Sequence, residues 1–427
     1  MGIVILLGSL ILFLVVRLPI AFALGMSATV TALYVEIPVL VIAQKMVEGV
    51  KSFSLMAIPF FIIAGEIMGE GGISRRLIDL SNVLVGRMRG GLAMVNILSS
   101  MFFGGISGSS VADTSSIGTI MIPMMEKEGY DKDYAVNVTI TSSTQGVIVP
   151  PSHNMIIYSV AAGGLSVGKL FLGGIIPGVL LGLTLMVLSY IIAVKRNYPK
   201  GKPVTLKEAK QIIKESFFGL MTAVIIMGGV ISGIFTATES AAVAAIYAFV
   251  ITYFVYRDVP LTNFMVVLRN SLKTLSMVMA VIATSSAFGY MMAILKVPQL
   301  ITNFLLDFSD NKFIVMILVN VVLLLLGMIM DMAPLILITT PILLPVILKI
   351  GMDPVQFGII MMLNLGIGLL TPPVGSTLFV GCSIANISIE KVAKSLKPFY
   401  IMLFLYLMVV TFIPAITLWL PNLILGK

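Results

Sequence analysis

The sequence predicts an all-α polytopic membrane protein, and three observations carry that expectation. Of its 427 residues, 59% are hydrophobic and 11% charged, with a mean hydropathy of +1.10, about half the charge of a soluble domain. The apolar stretches run about 15–25 residues, which matches helices across a hydrocarbon core about 30 Å thick and not the short alternating strands of a barrel. A single cysteine, Cys382, excludes a disulfide-stapled scaffold, and the low charge excludes disorder. The net charge of +8 does not point to nucleic acid, because the basic residues sit in short gaps between apolar stretches and report topology instead.

Residues 2–16 lack a basic leader and a small-residue cleavage site, and they run on through Arg17-Leu18-Pro19, so they read as a retained helix and not a signal peptide. Further spans are expected near 19–37, 53–70, 134–162, 169–194, 216–236, 239–256, 274–296, 354–386 and 398–420. The stretches 92–126 and 313–349 are too long for one span, and each has a polar or Gly-rich break in its middle. Their halves of about 15 residues, roughly 22 Å of helix, suggest re-entrant helical hairpins. Segments 38–52, 71–91, 257–273 and 297–312 mix charge with apolar residues and read as helices at the membrane interface.

Placing the basic 195–214 linker in the cytoplasm puts twenty Lys and Arg residues there and leaves seven outside: Lys45, Lys51, Lys169, Lys296, Lys312, Lys349 and Lys427. Both chain ends then lie outside, the first hairpin opens to the cytoplasm and the second opens outward. A shift of 222 positions supports this inversion, laying Pro150-Pro151 on Pro372-Pro373, Gly146 on Gly368, Gly105 on Gly327, Pro123 on Pro345, Gly129 on Gly351, Asp131 on Asp353 and Ser166 on Ser388. The chain divides into a first part, 1–194, a basic linker, 195–215, with Pro199, Gly201 and Pro203, and an inverted second copy, 216–427.

The chemistry is expected at the hairpin tips. Residues 104–116 contain Gly104, Gly105, Ser107, Gly108, Ser109, Ser110 and Asp113, too polar for contact with lipid. Glycine permits the turn, hydroxyls supply oxygen ligands, and the second half-helix directs its positive end at whatever sits there. The opposing stretch, 141–154, contains Gly146, Val149, Pro150-Pro151, Ser152, His153 and Asn154. Adjacent prolines remove two helical donors and free the carbonyls upstream, a set of hard oxygens suited to a desolvated sodium ion. The second copy repeats the pattern, with a tip containing Gly327, Met330 and Asp331 and a break containing Gly368, Thr371, Pro372-Pro373, Ser376 and Thr377.

The alternative for the Gly/Ser tip is close helix packing, and for each proline pair a simple kink. Asp113 and Asp331 are read as ion ligands, proton carriers or helix caps. Glu66 and Glu239 are read as functional or structural, and His153, the single histidine, as a donor to substrate or to a carbonyl. The 29 methionines are scattered, which suits helix packing and not a metal path.

Gly104-Gly105-Ile106-Ser107-Gly108-Ser109 with Ala112-Asp113 and Gly118, Pro150-Pro151-Ser152, Thr238-Glu239 and Thr371-Pro372-Pro373-Val374-Gly375 resemble the large membrane subunit of tripartite ATP-independent periplasmic (TRAP) transporters. The resemblance covers nearly the whole chain. It implies an inverted-repeat, elevator-type fold in the bacterial inner membrane that imports an organic acid, of the C4-dicarboxylate or sialic acid class, driven by sodium. It also implies two partners, a small four-helix membrane subunit on a separate chain and a periplasmic substrate-binding protein.

In that picture both hairpins and both broken helices move against a scaffold of 19–37, 53–70, 239–256 and 274–296. At least two sodium ions are expected. One is assigned to Gly105, Ser107, Gly146, Val149 and Pro151, and the other to Gly327, Met330, Asp331, Gly368, Thr371 and Pro373. Substrate is assigned to Ser109, Ser110, Asn154, Ser376 and Thr377, with Asp113 and His153 in coupling or capping. No ATP, haem or transition metal is expected. A competing enzyme reading rests on Gly105-Ile106-Ser107-Gly108, a GxSG match to rhomboid-type proteases with His153 as base, but it leaves the repeat and the proline pairs unexplained. The sequence lacks a phosphate-binding loop and a TVGYG-like filter, which disfavours ATP-driven transport and a potassium channel. A stand-alone sodium–carboxylate symporter is the nearest alternative.

Overall fold

A computed structural model describes residues 1–201, 204–309 and 311–426, so Lys202 and Pro203 of the expected linker and the terminal Lys427 lie outside the described residues. The chain opens with α1 (Gly2–Val15), α2 (Ile20–Tyr34), α3 (Val39–Val50), α4 (Ala57–Glu70) and α5 (Ile73–Val85). A helical hairpin follows, α6 (Gly91–Ser107) and α7 (Ser110–Lys127), and then a broken helix, α8 (Lys132–Ser143), α9 (Gln145–Ile148) and α10 (His153–Ala161). Next come α11 (Val167–Lys195), α12 (Leu206–Ile231), α13 (Ala237–Val250), α14 (Phe264–Ile294) and α15 (Val297–Phe308). The second hairpin is α16 (Lys312–Gly327) with α17 (Met332–Lys349), and the second broken helix is α18 (Pro354–Gly368) with α19 (Ser376–Ala385). Helices α20 (Ile389–Ser395), α21 (Lys397–Phe412) and α22 (Ala415–Leu425) complete the chain.

Local chemistry sets many of these boundaries. Pro19 and Pro38 precede α2 and α3, where a missing N–H costs nothing. Thr205 with Glu208 and Thr236 with Glu239 form reciprocal capping boxes at the starts of α12 and α13. Six helical segments are long and apolar enough to cross a membrane among the described residues, and α20 with α21 forms a pair bent by 58°. The spans expected at 2–16 and 19–37 are helices of 14 and 15 residues, shorter than the roughly 20 that cross unaided.

Three expectations are corrected. Residues 264–273 are not a separate interfacial helix but the first turns of α14, since no proline or glycine interrupts the chain before Gly289. The linker expected over 195–215 is helical from Leu206, where the Thr205 capping box starts α12 ten residues before the span expected at 216. The span expected over 398–420 is two helices, because Pro414 has no N–H to continue the ladder between α21 and α22.

The broken helices lie at the centre. Every residue from Tyr134 to Ile148 and from Val355 to Leu370 is buried, the pattern of helices enclosed on all sides. A separate apolar cluster joins Leu6, Leu24, Ala28 and Ile42 of α1–α3 to Phe288 and Met291 of α14, and α4 packs against α13 and α14. Helix α4 meets the first hairpin through Gly65 and Gly69, where an added Cβ would lie 3.5 Å from Ser107 Cα and 3.3 Å from Ser116 Oγ. That is the small-xxx-small spacing that lets helices approach closely.

The end of α11 is tied to both ends of the first hairpin. Arg196 pairs with Asp131 at 2.8 Å and Asp133 at 3.5 Å, the Tyr198 hydroxyl donates to Asp131 at 2.7 Å, and Gly90 N–H donates to the Pro199 carbonyl at 3.0 Å. The Tyr198 hydrogen bond, with Arg196 beside it, holds the Asp131 carboxyl below the usual carboxylate range.

Candidate functional site

The first hairpin tip meets the first break mainly through backbone. A Cβ on Gly104 would lie 2.4 Å from Gly146 Cα, and one on Gly105 would lie 3.0 Å from the Pro150 carbonyl oxygen and 3.2 Å from Val149 Cγ1. Gly108 turns the chain at φ +63, a conformation that favours glycine, and an added Cβ there would lie 2.9 Å from His153 N. Pro150 and the buried Pro151 have no N–H, so the Gly146 and Val147 carbonyls lack the donor four residues on. The Ser107 hydroxyl stays within its own turn, 3.4 Å from Ser109 N.

The second tip meets the second break in the same way. A Cβ on Gly368 would lie 2.7 Å from Gly327 Cα, and Val374 N–H donates to the Met328 carbonyl at 3.1 Å. Thr371 Oγ1 donates to the Ile367 carbonyl at 2.9 Å, and Thr371 N–H donates to the Gly368 carbonyl at 2.9 Å. Met330 lies in the turn, the exposed Asp331 begins α17, and Pro373 is exposed on the break.

Between the two tips, residues from both copies converge. Ser110 Oγ lies 2.9 Å from Ser143 Oγ and 3.1 Å from Thr377 Oγ1, and all three residues are buried. Ser110 begins α7 and Thr377 lies in the first turn of α19, so two helix N-termini meet there. The other expected substrate residues hold the tips themselves. Ser109 Oγ accepts from Ala112 N–H at 3.3 Å, Asn154 Nδ2 donates to the Gly108 carbonyl at 3.2 Å, and Ser376 Oγ donates to Asp331 Oδ1 at 3.2 Å.

The capping alternatives are corrected here. Ser109, not Asp113, caps α7, because Asp113 lies four positions past the cap, inside the helix; it is fully buried and neither carboxyl oxygen has a hydrogen-bond partner of ordinary geometry. Asp331 stands at the N-cap of α17, but its carboxyl binds Ser376 and not the helix N–H groups. Glu239 is structural, the acidic member of the α13 capping box. His153 Nδ1 is buried without a partner, and no hydrogen bond joins it to the Ser107 hydroxyl, so the proposed protease dyad is not assembled.

The expected ion and substrate residues omit Gly104, Ser143, Met328 and Val374, which make close contacts here, although Gly104 and Val374 lie inside the motifs quoted from the sequence. The adjacent glycines at 104 and 105 were a usable signal for the first. Among the described residues no three His, Cys, Asp or Glu side chains come together, so a cation here would meet mostly neutral oxygens.

A helical integral membrane protein whose buried polar centre is built twice, each time from a hairpin tip and a proline-broken helix, has the form of a solute permease. The chain belongs to the family of the DctM component of tripartite ATP-independent periplasmic transporters, whose model matches residues 7–416. It is 42% identical over 424 residues to the uncharacterized protein YgiK of Salmonella typhimurium, covering 99% of this chain and 97% of that one. It is 40% identical over 401 residues to the C4-dicarboxylate TRAP transporter large permease protein DctM of Pseudomonas aeruginosa, covering 94% of each, and 38% identical over 384 residues to the sialic acid TRAP transporter large permease protein SiaM of Vibrio cholerae, covering 90% of each. The crystal structure of the Alcanivorax borkumensis YdaH transporter shares the fold, with TM-score 0.61, 11% identity and 86% of each chain covered. Members of this family are transporter permeases and not enzymes.

Proposed function

We propose that this chain is the membrane permease of a sodium-coupled importer of an organic acid, of the C4-dicarboxylate or sialic acid class, fed by a periplasmic binding protein. The observation that carries this reading is the paired contact of Gly104 with Gly146 and Gly327 with Gly368, flanking the Ser110–Ser143–Thr377 cluster. Each contact holds a tip against carbonyls that proline has deprived of helical donors, which suits a desolvated sodium ion. The substrate carboxylate then meets the α7 and α19 N-termini and neutral hydroxyls. A bare anion would cross hydrocarbon only at great cost, and sodium neutralises it.

In this reading the two halves are inverted copies, the hairpins are re-entrant, and α6–α10 with α16–α19 move as an elevator past α2, α4, α13 and α14. Gly65 and Gly69 offer the hairpin a smooth track. The permease lies in a bacterial inner membrane with both termini periplasmic, beside a small four-helix subunit.

The test is reconstitution with that subunit in liposomes, measuring uptake of labelled succinate and sialic acid under an inward sodium gradient, with and without the binding protein. Uptake should require both sodium and the binding protein, and Ser107→Ala, Asp331→Ala or Thr371→Ala should weaken it. Sodium-driven uptake without the binding protein would identify a stand-alone symporter. Absence of uptake with an active partner set would overturn the assignment.

A further inference from the structure

We propose that Asp113, with the Ser100 and Ser142 hydroxyls, forms a further site for a small monovalent cation, present in the first copy alone and separate from the two tip–break sites. The inference rests on the sodium-coupled reading above and adds an ion to it. Asp113 is fully buried in the first turn of α7, with both carboxyl oxygens unpartnered. The ion pairs of the described residues use Lys45, Arg76, Lys132 and Arg196, none of which reaches it. An ionised carboxylate so enclosed must be neutralised, because isolation from water costs far more than a fold's margin of stability. Helix capping does not account for it, since Ser109 performs that role.

The surroundings are hard oxygens. Ser100 is within interaction range of the carboxyl, though no hydrogen bond of ordinary geometry joins it to either oxygen. The Ser142 hydroxyl donates to Ser100 Oγ at 3.0 Å, and both serines are completely buried. One carboxylate with hydroxyl oxygens suits sodium, and no nitrogen or sulfur donor is needed.

The second copy shows that packing alone does not demand this arrangement. Under the 222-residue shift Asp113 corresponds to Leu335, which is buried, and Ser142 to Asn364. Asn364 Nδ2 donates to Asn320 Oδ1 at 2.8 Å and to the Asn320 carbonyl at 3.0 Å. The same place in the fold is thus filled by an apolar side chain and a paired amide. Asp113 also lies three residues from Ser110, about 4.5 Å along α7, so an ion held there restrains the helix start that carries Ser110 into the central cluster.

The experiment counts sodium. Binding of ²²Na⁺ to the purified full chain with its small subunit, and charge moved per substrate in liposomes, are compared for the wild type, Asp113→Asn and Thr371→Ala. Asp113→Asn keeps the volume and removes the charge, so it should bind one sodium ion fewer per chain and move one charge fewer per cycle. An unchanged ion count would overturn the proposal and show that the carboxyl is carried neutral. Should Asp113→Asn fail to fold, Ser142→Ala removes a single hydroxyl and should raise the sodium concentration for half-maximal binding at least about tenfold, a loss of about 1.4 kcal/mol; an unshifted curve would overturn the site. Absence of sodium binding by the wild type would defeat the transport reading itself, whereas equal counts in the wild type and Asp113→Asn defeat only this inference.

Discussion

Replacing Gly104 by alanine tests the tip–break contact most directly. The added methyl would lie 2.4 Å from Gly146 Cα and 2.8 Å from Gly146 N, whereas ordinary contact begins at 3.4 Å. Both obstacles are backbone atoms, so no rotamer change relieves the overlap, and tip and break must part by about 1 Å. Overpacking of this kind costs about 1–3 kcal/mol. If that cost falls on docking of the tip, the docked population drops about 5- to 150-fold. The sodium concentration for half-maximal uptake should rise within that range, and Gly368→Ala should act similarly through its 2.7 Å approach to Gly327 Cα. Gly228→Ala is the control, because nothing lies within 4 Å of its Cβ position. It should leave uptake unchanged and stabilise α12 by about 0.4–1 kcal/mol. Equal sodium dependence in Gly104→Ala and Gly228→Ala would refute the assignment of the contact.

Other expectations concern separate parts of the molecule. Thr236→Ala removes the α13 cap and should cost about 1 kcal/mol in thermal unfolding, with saturated uptake unchanged for the folded protein. Ser110→Ala removes the hydroxyl shared by Ser143 and Thr377 and should cost about 0.5–1.5 kcal/mol per lost bond, read as a higher KM for substrate. Because Asp131 titrates lower in the folded protein than in the unfolded chain, its contribution is present above its ordinary value of 3.8 and is lost as pH falls below it. The group is largely exposed, so the effect should stay below about 1 kcal/mol. Tyr198→Phe should flatten the acid limb of a stability-against-pH curve measured in detergent, and an unchanged limb would remove Tyr198 as the cause.

The helix pairs and the breaks were legible because their signals are local. The expected hairpins 92–126 and 313–349 stand beside observed helices over 91–127 and 312–349, and the proline pairs interrupt the helices wherever they occur. Less legible was the start of α12, since Thr205, Lys207, Glu208 and Lys210 make a capped first turn as polar as a linker. Arg269 and Lys273 likewise gave a continuous helix the composition of an interfacial one. In the site, the 222-residue shift paired Gly105 with Gly327, yet the packing contacts are made by Gly104 and Gly327. The two contacts are 223 positions apart and not 222, so the glycine that packs against the break stands one place differently in the two arms before the tips. That difference arises in three dimensions and is invisible to a constant sequence shift.

The hydroxyl bridge between Ser110 and Thr377 has a chemically different counterpart in the other copy. The same shift carries Ser110 to Met332 and Thr377 to Met155, both buried. Approximate twofold repetition therefore produces one hydroxyl-bearing corner and one thioether-bearing corner. If the proposed solute sits between the copies, it would have oxygens on one flank and soft, deformable methionines on the other, and turning it end over end would exchange these surroundings. On the proposed function a solute held there would have one preferred orientation, with adaptable thioethers on the flank opposite the hydroxyls.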